Sequence, residues 1–186
     1  MQLSQLIKDN KTAVVAKWLD HLLSSFPPET QKIWKSNRDR FTNPVCHVFE
    51  ASMGSLVDGL VAWQDAETLI KPLNELVRIR AVQDVAPSKS LAFIPGLKKV
   101  LREMFAGQAE ADDFGVYDLR LDNLALMAFD IYTKNREQIF CMRVEEFKSA
   151  HHMAFRKAGI ICESPRQALG LEDRNVKAQG KRGRAE

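Results

Sequence analysis

The sequence predicts an all-α fold. Every long apolar pattern repeats with helical period, and no run alternates β-branched and polar residues between hairpin turns. In addition, the whole stretch from Val116 to Lys157 lacks proline and glycine. At 186 residues the chain accommodates one full core with a tail. Its 45% hydrophobic and 27% charged content is that of a folded soluble domain.

The first element is read from Leu3, Ile7, Val14, Trp18, Leu22 and Phe26, which share one helical face. Pro27-Pro28 ends it, because proline cannot donate and restrains its predecessor. A short helix over 29–36 follows. The next begins in RFTNPVCHVFE, residues 40–50, where Asn43 suits the N-cap and Pro44 the first helical position. Val45, Phe49, Met53, Leu56, Leu60 and Trp63 then form its apolar face.

Residues 65–83 read as another helix, with its main run starting at Pro72, and DVAPS makes a turn. Ser88 opens a helix to about Phe105 with Leu91, Ile94, Leu97 and Leu101 inward; Pro95-Gly96 either kinks it or divides it. GQAEADDFG, residues 107–115, reads as a polar loop. From Val116 to Lys157 one helix, or two stacked ones, of roughly 60 Å is allowed at 1.5 Å per residue. Leu121, Leu124, Ala128 and Ile131 give its first half an apolar face, and the second half is much more charged. A helix of that length is expected to project from the core or to pair with a second copy.

Domain boundaries follow as 1–160 for the folded part and 161–186 for a flexible tail, whose KAQGKRGRAE carries much of the +3 net charge. Nucleic acid is not expected as a partner except through that basic tail. The N-terminus lacks the apolar run of a signal peptide, and no apolar stretch is read as reaching the roughly 20 residues of a membrane span. With three cysteines at 46, 141 and 162 and no CxxC, reduced thiols and a cytoplasmic location are expected.

No enzyme is expected: HExxH, GxSxG, GxGxxG and P-loop motifs are all missing. No metal site and no cofactor are expected either. His151 and His152 point about 100° apart on a helix, beside Lys148, Arg156 and Lys157. Cys46 and His47 diverge by the same angle, so Cys46 leans toward the core and His47 toward a small-residue face with Ala51, Gly54, Ser55 and Asp58. Small residues let another helix come close. Ala51, Gly54 and Ser55, with Tyr132 and Arg136 of the late helix, are therefore candidate contacts with a second subunit. His47 is a candidate ligand or partner contact, together with a polar group at Arg78, Arg80, Gln83, Asp84 and Ser88. Buried, that group points to a ligand; exposed, it only ties a turn together.

Three stretches carry a family likeness: FTNPVCH, then IRAVQDVAPSKSLAFIPGLKKVLRE from Ile79 to Glu103, and YTKNREQIFCMRVEEF from Tyr132 to Phe147. Over about residues 1–150 the chain resembles the RsbT co-antagonist RsbRD N-terminal domain family. The resemblance implies a globin-like, haem-free sensory domain that forms a homodimer and relays a small effector or a signalling partner through its last helix. Stressosome relatives fuse such a domain to a STAS domain. No STAS domain is read in these residues, so the phosphorylation and kinase-sequestering roles of that second domain are not expected of them. A tetrapyrrole-binding globin using His47, His21 or Cys46, and an accessory subunit of a larger complex, are the alternatives.

Overall fold

The computed structural model describes residues 2–36, 41–83 and 85–159. Among them are eight helices and no strand: α1 (Leu3–Asp9), α2 (Lys11–Leu23), α3 (Pro28–Ser36), α4 (Pro44–Ala62), α5 (Ala66–Val82), α6 (Pro87–Leu91), α7 (Phe93–Phe105) and α8 (Ala111–Lys157). The expectation of an all-α chain with a long C-terminal helix holds. By chain contacts the protein falls into two compact units, Met1–Ile139 and Phe140–Glu186. The expected flexible tail, 161–186, and Cys162 lie outside the described residues.

In the first unit the opening apolar face is carried by two helices rather than one. Asn10 leaves helical geometry at φ −112° and ψ 20°, and its side-chain amide donates to the Leu6 carbonyl at 2.9 Å. An asparagine that bonds its own backbone competes with helix continuation, which is why the pattern runs on while the helix breaks. Leu3, Ile7, Val14, Trp18 and Leu22 are all buried, as the periodicity requires.

At the start of α4, Asn43 Oδ1 accepts from the Cys46 amide at 3.2 Å, with Pro44 in the first turn. By length and hydropathy α4 could cross a membrane, which corrects the expectation that no apolar stretch approaches that length. Its Phe49, Met53, Leu56, Val57 and Leu60 are nevertheless core residues, packed against α2 and α5. The helix ends at Trp63, held left-handed at φ 45°. Arg120 of α8 caps that end by donating to the Leu60 carbonyl at 2.5 Å and lies 5.4 Å from the Trp63 ring centroid.

α5 begins at Ala66, within a residue of the predicted start, because Asp65 caps it by accepting from the Glu67 amide at 3.0 Å, and it runs unbroken through Pro72 rather than gaining its main run there. Pro72 sits inside the helix and is buried. Farther on, the predicted 88–105 helix is divided, but at Ala92 rather than at Pro95-Gly96. Pro95 falls in the first turn of α7, where its missing amide N–H would have no intrahelical partner. Gly96 serves helix packing instead. A Cβ there would overlap the His21 ring at Cδ2, so the lack of a side chain lets α2 and α7 touch. The expected loop 107–115 is shorter, since α8 already starts at Ala111 and includes Gly115.

Along α8, Tyr117, Leu121, Leu124, Ala128 and Tyr132 recur every three or four residues and bury one stripe in the core. Val116, Leu119, Leu126 and Phe129 are exposed on the same part of the helix. In the second unit the described residues are helical to Lys157, and Phe140, Met142, Phe147 and Met153 are exposed. The Phe147 ring stacks on His151 there, with centroids 4.3 Å apart.

Candidate functional site

Of the polar group predicted near the end of α5, the structure brings together Arg80 and Gln83. Arg78 and Ser88 are exposed, and Asp84 lies outside the described residues. Arg80 is 1% exposed. Its Nε donates to the Ser90 carbonyl at 3.3 Å, Nη2 to the Lys89 carbonyl at 3.1 Å and Nη1 to Gln83 Oε1 at 2.9 Å. The two carbonyls belong to the end of α6, where a helix runs out of amide donors. Arg80 therefore staples α5 to α6.

One face of the guanidinium is also covered, since its central carbon lies 4.4 Å from the centroid of the Phe26 ring. Among the described residues no carboxylate forms an ion pair with Arg80. Burial without a counter-charge pulls its pKa below the usual arginine value, and the neighbouring Tyr132 acts in the opposite sense. A cleft of about 320 Å³ opens beside it, walled by Phe26, Pro27, Trp34, Arg80, Gln83 and Val85 together with Ser25 and Thr30. Phe26 and Trp34 pack tilted at 4.8 Å between ring centroids.

The turn after α5 is gripped from behind by α8. Arg136 Nη1 donates to the Ala81 carbonyl at 3.1 Å, and the Tyr132 hydroxyl reaches the Val85 carbonyl at 3.5 Å. Tyr132 is buried and Arg136 half-buried, both in contact with their own chain. Residue spacing contained no signal for these bonds, because they join positions 47 and 55 residues apart. Nor could it reveal Phe26 beneath Arg80, since Phe26 only completes the apolar face of the first helices.

The small-residue face of α4 is partly covered within the chain. Lys11 passes over Gly54, its Cε 3.8 Å from where a Cβ would stand, and pairs with Asp58 at 2.6 Å. Ala51, Ser55 and His47 remain exposed. Cys46 is half-buried. The described residues contain no cluster of three potential metal ligands. Inside the core, Ile7, Val14, Val57, Leu60, Leu101 and Tyr117 surround a void of about 10 Å³, room for about one water.

What fold and site define is a helical domain with a buried basic corner, a cleft beside it and a long last helix bonded to that corner. The family model for the RsbT co-antagonist protein rsbRD N-terminal domain matches residues 12–146, and the chain belongs to this family. Membership makes it a sensory or regulatory domain of the bacterial stressosome type. No curated protein and no solved structure matches the chain significantly.

Proposed function

We propose that the protein is a non-catalytic sensory module that acts as a homodimer and passes the state of the α5–α6 corner to α8. The observation that carries this reading is the double grip of Tyr132 and Arg136 on the Ala81 and Val85 carbonyls. Any ligand or partner that moves the corner must strain or break those bonds, and the energy of doing so falls on α8.

The second copy is assigned to the exposed face of α8. Leu119 and Leu126, 65% and 67% exposed, are seven residues apart, the spacing of a two-helix seam. In the second unit Phe140 and Phe147 repeat the interval. Ala51 and Ser55 are the part of the small α4 face still open to a partner. The test is native mass spectrometry of the wild type and of Leu119→Glu/Leu126→Glu. A dimer that the double variant dissolves supports the assignment, and an unchanged subunit number rejects it.

The tetrapyrrole alternative has less support. His47 is exposed, and His21 packs its ring on Gly96, so neither histidine stands in the apolar pocket that axial ligation needs. A Soret band on haem-reconstituted protein would reverse that judgement.

A further inference from the structure

We propose that the cleft beside Arg80 binds a small organic carboxylate, which displaces the Gln83 amide from the guanidinium and lays its apolar body against Phe26, Pro27 and Trp34. This deepens the sensory reading by naming the effector class, and rests on it only for the use made of binding.

The charge comes first. A guanidinium has five N–H groups, and three are engaged: one each by Ser90, Lys89 and Gln83. All three acceptors are uncharged. A fully buried cation normally faces an anion, yet none of the described carboxylates pairs with it. Of the four N–H groups on Nη1 and Nη2, Lys89 and Gln83 take one each, and once Gln83 gives up Nη1 the Nη1–Nη2 edge can engage a carboxylate with two parallel bonds.

Gln83 is the replaceable partner. The Ser90 and Lys89 carbonyls are fixed in the backbone of α6, whereas the Gln83 amide is a half-buried side chain on the wall of the cleft. A carboxylate brings a full opposite charge and a second parallel bond, neither of which the single amide oxygen supplies, so it outcompetes Gln83. At about 320 Å³ the cleft lies at the small end of ligand pockets, which suits a compact molecule. Ser25 and Thr30 also line it, but Phe26, Pro27, Trp34 and Val85 make the lining mainly apolar, which favours an apolar body over a phosphate or a sugar. Phe26 already shields one face of Arg80 from water, which strengthens the ionic contact.

Gln83 is also the C-cap of α5, with Val85 two residues on. Expelling its side chain disturbs the backbone that Tyr132 holds, so binding and the grip of α8 are linked.

The full chain is titrated with phenylacetate and with octanoate by calorimetry, and with phenylacetamide as the uncharged isostere. At least one acid is expected to bind with a Kd of about 1 mM or below, and the amide not at all. Gln83→Ala, which removes the competitor, is expected to tighten the acid several-fold, while Arg80→Lys weakens it at least about tenfold. Failure of both acids to bind, equal binding of the amide, or no tightening in Gln83→Ala overturns the proposal. The last two arms leave Arg80 in place, so they decide even where Arg80→Lys fails to fold. A dimer that binds neither acid loses this site but keeps the regulatory reading; a monomer that binds them does the reverse.

Discussion

Arg136 of α8 donates to the carbonyl of Ala81, in the last turn of α5, across 3.1 Å and 55 residues of chain. A half-buried guanidinium spanning two helices both stabilises the domain and couples its parts. Arg136→Ala is expected to cost about 1–2 kcal/mol, the loss of one charge-assisted bond with partial solvent compensation. Urea unfolding should show a lower midpoint at unchanged slope. Faster amide exchange should be confined to residues around the α5–α6 turn.

Gly96→Ala places a methyl where the His21 ring stands. Crowding of this kind costs about 1–3 kcal/mol unless the ring swings out. His21→Ala in the same chain should recover most of the loss, since alanine also favours α7 by up to about 1 kcal/mol over glycine. Equal destabilisation of the single and double variants would show that the crowding arises elsewhere.

Tyr117 is buried, with its ring beneath Arg120 at 5.1 Å and no partner for its hydroxyl among the described residues. Burial raises its pKa above the usual phenol value, Arg120 counteracts this and Asp113 adds to it. In the folded state the proton is therefore held more tightly. The associated stability is fully present below the unfolded-state pKa of about 10 and is lost as pH rises through the higher folded value. Tyr117→Phe keeps the ring and removes the unpaired hydroxyl, so it should be neutral or stabilising by up to about 1 kcal/mol. It should also flatten the alkaline fall of the melting temperature.

Asn43 bonds in two directions, accepting from the Cys46 amide and donating to the Trp34 carbonyl at 3.2 Å. Asn43→Ala should cost about 1–2 kcal/mol, a lost cap. Asn43→Asp keeps the cap acceptor and loses the donor, so its melting temperature should fall between wild type and alanine.

The fold was legible wherever one residue type answers a local geometric need. Asn43 and Pro44 announced α4, and the apolar faces of α2, α4 and α8 could be counted by period. A boundary was missed where a side chain competes for its own backbone, as Asn10 does in breaking the first helix. At the site, Arg80 and Gln83 could be nominated from sequence, but not separated from Arg78 and Ser88, because burial is decided by tertiary packing. What the sequence could not express was the return of α8 to Ala81 and Val85, a contact between helices far apart in the chain.

The touching of His21 and Gly96 also binds the history of the two positions. A side chain gained at 96 competes for the space of the ring at 21, so the two sites are expected to change together among relatives. A relative in which position 96 is enlarged while the histidine stays has either to turn the ring outward or to hold α2 and α7 farther apart.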